Sequence, residues 1–338
     1  MIEKFLNNEL SIKRWRRFKS HRLAVVSSLL LIAACFFSFT AEFWANNKPI
    51  VMKFGNNYYY PILKDYTPQA FGLKNQITVD YKKLPLADGD WAVFPMIVWD
   101  PYESNKEVRS YPSPPTLKNI MGTDDRGRDI FTRLLYGLRY SVIYAVLVWA
   151  LSFFVGTVLG GLMGFYGSKV DFYGQRITEI LSTVPQLLLL IILISIFKPS
   201  MALLVFISSL FGWIGISYYV RGEFLKNRRM EFVEAARAVG AGSARIFFKH
   251  ILPNSLTPII TFTPFVIAGN ITGLASLDYL GFGLTPPTPS WGELLSQAQK
   301  HFSIGWWLAL YPSLALFMSL TLLSLIGEGV RDAINPRE

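Results

Sequence analysis

The sequence predicts an all-α integral membrane protein of six transmembrane helices, with a small β-containing insertion on its outer face. Composition is the first observation behind this: 51% of the 338 residues are hydrophobic and only 17% are charged, against about 25% charged in soluble domains. Mean hydropathy is +0.33. The second is a set of six apolar runs, near 23–45, 139–166, 177–197, 201–220, 256–284 and 304–327; a helix crossing hydrocarbon needs roughly 20 such residues. The third is where the cations sit. A net charge of +10 could suggest nucleic acid, but Lys and Arg gather beside the spans, where topology collects them.

The N-terminal tail, 1–22, holds Lys4, Lys13, Arg14, Arg16, Arg17, Lys19 and Arg22. With an even number of spans it shares a side with the C-terminal tail, 328–338. The same side receives the 167–176 loop (Lys169, Arg176) and the 221–253 loop (Arg221, Lys226, Arg228, Arg229, Arg237, Arg245, Lys249). The opposite short loops hold Lys198 and Lys300. The asymmetry predicts cytoplasmic tails and an outer segment over 46–138. The first run, 23–45, exceeds the ~7–15 residues of a signal-peptide core and no clear cleavage site follows it. It reads as a retained anchor.

In the outer segment, Ile50–Phe54, the turn Gly55-Asn56-Asn57 and Tyr58–Tyr60 spell a β-hairpin. Trp91–Trp99 is strand-like, and Pro95 confines it to an edge. Tyr111–Pro115 reads as an extended linker, followed by an amphipathic stretch entering the second span. A passive cap and a docking surface for an outer partner both remain open.

The five-helix core expected over 139–327 begins with a span carrying Gly156, Gly160 and Gly164 on one face, where small residues let helix backbones approach. Packing within the chain and a subunit interface are both compatible with that stripe. Glu179 stands in the third run less than a turn beyond Arg176, and snorkelling toward that arginine explains it more cheaply than a transport role. The fifth run is punctuated by Pro258, Pro264, Gly269, Asn270 and Gly273, interruptions tolerated where backbone faces protein or a water-filled cavity. Asn270 and Ser276, with Asp278 at the outer end, are the candidate pathway or gate residues. Asp278 reads as an interfacial charge rather than a substrate contact.

No residues suit chemistry on a substrate. There is no phosphate-cradling loop, no zinc-binding His-Glu-x-x-His and no nucleophile elbow. His21, His250 and His301 are scattered, Cys35 is alone, and Gly122–Asp129 lacks calcium-loop spacing. The expectation is no catalytic residue and no metal.

One polar stretch remains: EFVEAARAVGAGSARIFFKHILPN, Glu231–Asn254. Phe232, Ala235/Ala236 and Val239 form an apolar stripe, and Glu231, Glu234 and Arg237 match the dipole of a short helix. Gly240 suits its left-handed close. Ser243 can cap a second helix, and Pro253 disfavours helix at the residue before it. So short a pair needs a surface; a groove on a cytosolic partner and lipid headgroups are the two choices.

Glu234-Ala235-Ala236, Gly240 and Leu252-Pro253 resemble the EAA signature of ATP-binding-cassette importer permeases, with His250 where isoleucine is usual. Gly122–Ser141, Val170–Pro185 and Leu280–Leu295 extend the resemblance to the C-type permeases of dipeptide and oligopeptide importers, and the outer segment is most similar to those of microcin C/oligopeptide importers. Tyr218 stands where many relatives have arginine. The resemblance implies a type I ABC importer permease fold in a bacterial inner membrane. It implies that Glu234, Ala235, Ala236, Arg237, Gly240, Leu252 and Pro253 couple to the ATPase. The partners it implies are a second (B-type) permease, cytosolic ATPases as two chains or one tandem chain, a periplasmic solute-binding protein, and a peptide. ATP and Mg²⁺ would bind the ATPase, and no cofactor would bind this chain. Nickel or a glycopeptide as cargo is the alternative within the family; a secondary transporter or a polytopic membrane enzyme is the alternative outside it.

Overall fold

The computed structural model describes residues 9–73, 77–197 and 199–334; Lys4 and Lys198 lie outside the described residues. Two compact units divide the chain. One comprises the described parts of 1–31, 141–285 and 317–338, and the other comprises 32–140 and 286–316.

Helix α1, Glu9–Ser20, occupies the expected tail, and α2 follows at Arg22–Phe39. The first span therefore ends earlier than 45: the Thr40 hydroxyl donates back to Phe36 O at 2.6 Å, and a short 3₁₀ turn, Ala41–Phe43, follows. Helix α3 runs Ile130–Tyr166, nine residues ahead of the expected start. Its extra length is the pre-span stretch, nucleated by Asp129, whose Oδ1 accepts from Thr132 N at 2.8 Å.

The third run is not one helix. It forms α4, Ser168–Ser182, and α5, Gln186–Ile196, bent by 70° across Thr183–Pro185. Proline supplies no amide to continue the ladder. Glu179 pairs with Arg176 at 2.7 Å on the exposed side of α4. Helix α6 is Met201–Asn227, α7 Glu231–Ala238, α8 Ser243–Arg245, α9 Leu252–Tyr279, α10 Trp291–Lys300 and α11 Trp306–Ile334. Among the described residues five helices are long and apolar enough to cross a membrane, or six if the bent pair makes one span.

The expected interruptions of the fifth run do not break it. Pro253 lies in the first turn of α9, and the helix continues past Pro258 and Pro264.

In the first unit α3 crosses α6 at backbone contact. A Cβ on Gly156 would lie 2.8 Å from Ile216 Cβ, one on Gly160 2.5 Å from Ser217 O, and one on Gly164 2.5 Å from Phe224 Cβ. The glycine stripe thus packs within the chain.

In the second unit β1 (Val51–Phe54) lies between β2 (Asn57–Tyr59) and β3 (Trp91–Val93), both antiparallel to it. Gly55 takes φ +60 at the hairpin turn. Strand β3 is an edge and stops before Pro95. Met52, Phe71, Tyr81 and Leu84 form the core beneath the sheet.

Gly160→Leu is expected to destabilise the chain by about 1–3 kcal/mol through overpacking, read as a lower melting midpoint in detergent. Gly215→Ala, on the same helix as Ser217 but facing nothing within 4 Å, is expected to leave that midpoint unchanged or slightly raised.

Candidate coupling surface and pathway

Helix α7 begins at Met230 without a side-chain cap, but Glu231 and Glu234 lie in its first turn and Arg237 in its last. It closes where Gly240 N donates to Arg237 O at 2.9 Å and Ala241 N to Ala236 O at 3.0 Å. Gly240 sits at φ +81, and a Cβ there would meet nothing within 4 Å. Backbone conformation alone therefore asks for glycine.

The two faces of α7 have different fates. Val233 is fully buried and Ala236 nearly so, while Phe232 is 39% and Val239 86% exposed; Ala235 is exposed as well. The stripe read from sequence is thus split. Ala236 belongs to the chain's own core, and Phe232, Ala235 and Val239 form an apolar surface open to solvent.

The buried side is anchored deeply. Val233 and Ala236 join Val220 and Phe224 of α6, Ile246, Phe247 and Ile251, and Ile259 of α9 in one core, with Leu252 packed against it. Phe247 meets Phe224 at 4.9 Å and Phe165 at 5.4 Å between ring centroids. Asn227 Nδ2 donates to Ser255 Oγ at 3.1 Å, and Arg228 Nη1 to Gly164 O at 3.2 Å.

The second short helix differs from expectation at both ends. Its cap is Gly242, with Ser243 already helical. It is not cut before Pro253: Ile246–Ile251 wind as a π turn straight into Leu252 and α9. The coupling stretch is therefore continuous with a spanning helix. Leu252 is half-buried at the junction and Pro253 exposed beside it.

Two polar contacts join α4 to the end of α6. Arg221 grips Asp171 with both Nε and Nη2, the latter at 2.7 Å. Tyr218, the residue that departs from the family pattern, donates to Thr178 Oγ1 at 3.1 Å.

Farther along α9, Gly269, Thr272, Gly273 and Ser276 are exposed along one face. Gly269, Asn270, Gly273 and Ser276 border a cleft of about 380 Å³ shared with Tyr144 and Gln186. Asn270 Nδ2 donates to Ala145 O at 3.1 Å, fixing α9 to α3, and the hydroxyls of Thr272 and Ser276 bond back into the helix. Asp278 does not join this face. It is 8% exposed and accepts from Leu284 N at 2.6 Å, so it organises the turn that ends α9.

The second unit contains a charged cluster whose members lie in the stretches Gly122–Ser141 and Leu280–Leu295, and whose pairing across the chain the sequence does not show. Arg128 Nε donates to Asp124 Oδ2 at 2.6 Å and its Nη2 to Glu293 Oε1 at 3.1 Å; Arg133 grips the other oxygen of Glu293. Arg133 also donates to the carbonyls of Pro101 and Pro287 at 3.1 and 3.2 Å. Both arginines and Asp124 are essentially inaccessible to solvent. Nearby, burial pushes the Asp129 carboxyl above its usual range, against the bonds from Asn119 and Thr132 that favour its charged form. One signal is present in the sequence: Ser290-Trp291-Gly292-Glu293 is a capping-box pattern, and Glu293 N does bond Ser290 Oγ at 3.3 Å.

Known proteins share this arrangement of sequence. The family model described as "Binding-protein-dependent transport system inner membrane component" matches residues 156–338, and "N-terminal TM domain of oligopeptide transport permease C" matches 13–67. The chain is 37% identical over 330 residues to "Inner membrane ABC transporter permease protein YejE" of Escherichia coli K12, covering 96% of each. It is 36% identical to "Peptidoglycan transport system permease protein YejE" of Agrobacterium fabrum, covering 96% of this chain and 93% of that one. It is also 36% identical to "Glutathione transport system permease protein GsiD" of Pectobacterium atrosepticum, over 66% of this chain and 74% of that one. This chain belongs to the binding-protein-dependent transport system inner-membrane components, the non-catalytic permeases of ABC importers. It works with ATPase and binding-protein partners in a multi-pass inner-membrane assembly.

Arg133→Met leaves Glu293 to Arg128 alone and frees one of its carboxylate oxygens, and is expected to cost about 1–3 kcal/mol, read as faster proteolysis of the 286–300 segment and a lower melting midpoint in detergent. Arg133→Met with Glu293→Met is expected to recover part of that loss.

Proposed function

We propose that this chain is one of two permease subunits of a peptide importer and that the exposed face of α7 is its coupling contact with a cytosolic ATPase. One observation carries this: Phe232, Ala235 and Val239 are held out to solvent by a helix whose other face, Val233 and Ala236, is locked into the ends of α6 and α9. Such a helix cannot shift without pushing α9. A helix resting on lipid would not need that rigid connection. Glu234, Arg237 and Gly240 belong to the same contact through charge placement and the turn, while Ala236, Leu252 and Pro253 serve it from within by holding the helix to α9.

The exposed face of α9 around Gly269, Asn270, Gly273 and Ser276 is the proposed half of the pathway, the second permease supplying the other half. Peptidic cargo is supported by the relatives, whose names specify glutathione, peptidoglycan and dipeptides. ATP and Mg²⁺ act on the ATPase partner. Both tails are proposed to be cytoplasmic, with 46–138 outside, from the asymmetry of Lys and Arg.

Val239→Asp puts a charge on the free face without touching the core. Membrane insertion and the melting midpoint are expected to stay as in wild type, while ATPase co-purification, or peptide-stimulated hydrolysis together with uptake, falls at least about tenfold, an unpaired charge in an apolar groove being costly. Gly240→Pro, which fixes φ near −65° and removes the amide that closes α7 on Arg237 O, is expected to lose coupling likewise while the spans still insert. Full coupling in both variants refutes the assignment.

Orientation is checked by cysteine labelling in a Cys35→Ser background. Ser110→Cys, an exposed position, is expected to react with an impermeant reagent in intact spheroplasts. Arg229→Cys, also exposed, is expected to react only after permeabilisation, and its labelling in intact cells overturns the topology.

A further inference from the structure

We infer that a cavity between α3, α6 and α9 receives one uncharged, preferably aromatic, side chain of the peptide in transit. The inference rests on reading α9 as a wall of the pathway. The cavity measures about 330 Å³ and lies near the middle of all three helices, among Trp149 and Phe153 of α3, Gly212 and Gly215 of α6, and Phe262 and Thr263 of α9. It continues the cleft beside Asn270, and Gly212 borders both spaces. On α9, Phe262, Val266, Gly269, Gly273 and Ser276 recur every three or four positions, so one helix face serves the whole groove. Ser208, Gly212, Gly215 and Tyr219 do the same on α6.

The chemistry changes along this groove. Glycines, serines and Asn270 line the first cleft, whereas two ring pairs line the second cavity. Trp149 and Phe153 lie 5.4 Å apart between centroids, and Tyr219 stacks on Phe262 at 5.2 Å. Gly215 keeps the space open, since a Cβ there would meet nothing within 4 Å. No Asp, Glu, Lys, Arg or His is among the lining residues, so an ionised side chain would find no counter-charge. An aromatic one gains from ring contacts beyond the area it buries. Pockets for whole small molecules run from about 300 to 1,000 Å³; this cavity is at the bottom of that range and suits one side chain with its flanking backbone. Two observations favour a peptide over a lipid tail. The Thr263 hydroxyl oxygen is buried on the lining and has no hydrogen-bond partner among the described residues. An acyl chain would leave it unmet, whereas a peptide amide can donate to it. The groove also runs on to Gln186 and Asn270, from which a hydrocarbon tail gains nothing. The preference is modest, as a station that must also release its cargo requires.

The test irradiates the whole importer complex in nanodiscs with the tripeptide Ala-Bpa-Ala, Bpa being photoreactive benzoylphenylalanine, and maps the adducts by mass spectrometry. Adducts are expected on Phe153, Ile216 and Val266, which line the cavity. Ala-Phe-Ala is expected to compete about threefold better than Ala-Leu-Ala and at least about tenfold better than Ala-Asp-Ala. Gly215→Leu fills the space and is expected to abolish these adducts, while an unchanged melting midpoint and ATPase co-purification verify the bundle. Tyr219→Ala with Phe262→Ala opens the space instead, and is expected to keep the adducts but lose the preference for phenylalanine over leucine. Adducts that survive Gly215→Leu overturn the inference, as does equal competition by the three peptides. A photoactivatable phospholipid that labels the same residues and is not displaced by Ala-Phe-Ala overturns it too, and assigns the cavity to lipid. ATP-driven uptake of trialanine into proteoliposomes separates the two readings. Uptake without adducts overturns the cavity alone, and absence of both overturns the pathway reading with it.

Discussion

The close approach of α3 to α6 is the constraint on which the first unit depends. Lipid tails are as apolar as leucine, so helices in hydrocarbon associate through van der Waals packing and hydrogen bonds rather than by escaping water. Gly156, Gly160 and Gly164 supply that packing by letting the Trp213, Ser217 and Arg221 stretch of α6 lie on bare backbone. Three further contacts rely on the resulting position of α6. Phe224 can meet Phe247, Arg228 can reach Gly164 O, and Arg221 can hold Asp171 on α4. A side chain at Gly160 would disturb all three, although none of them touches it.

The π turn over Ile246–Ile251 has a simple packing consequence. In an α-helix the residue four beyond Ile246, His250, would share its face; with wider winding the residue five beyond does so. Ile251 is accordingly fully buried and His250 half-exposed. The polar side chain at the usual isoleucine position of the family signature is thus kept out of the core without a break between the coupling stretch and α9.

Legibility in the sequence tracks the range of the interaction. Long apolar runs, the Gly55 turn and the left-handed Gly240 are local signals; the two glycines have their expected places and the runs all become helices, the third as a bent pair and others with shifted ends. Prolines are harder to read. Pro185 stands in the break between α4 and α5, as the N-cap of α5, whereas Pro253 lies in the first turn of α9 and Pro264 inside it, because the cost of a proline depends on whether its turn needed the missing amide. The stripe of α7 keeps Phe232, Ala235 and Val239 outward, but Ala236 turns inward with Val233, an opposite face that periodicity alone does not reveal over eight residues. The Arg133–Glu293 pair joins positions 160 residues apart. Its acid and base look like ordinary surface charges until the fold removes water from both.

Charge is distributed in a way that suits a division of labour. In the second unit, full charges are buried and matched in a network that resists change. Around the α9 cleft the bordering side chains are neutral, the Thr272 and Ser276 hydroxyls are satisfied inside the helix, and glycines leave the backbone close to whatever passes. A surface of that kind offers few strong contacts. Conduction requires binding that is favourable enough for entry and weak enough for exit. On the proposed reading, a permease supplied by a separate binding protein can leave selection to that protein and keep its own walls nearly indifferent. Energy then has to enter elsewhere, and the rigid mounting of α7 on α6 and α9 is the route this fold provides.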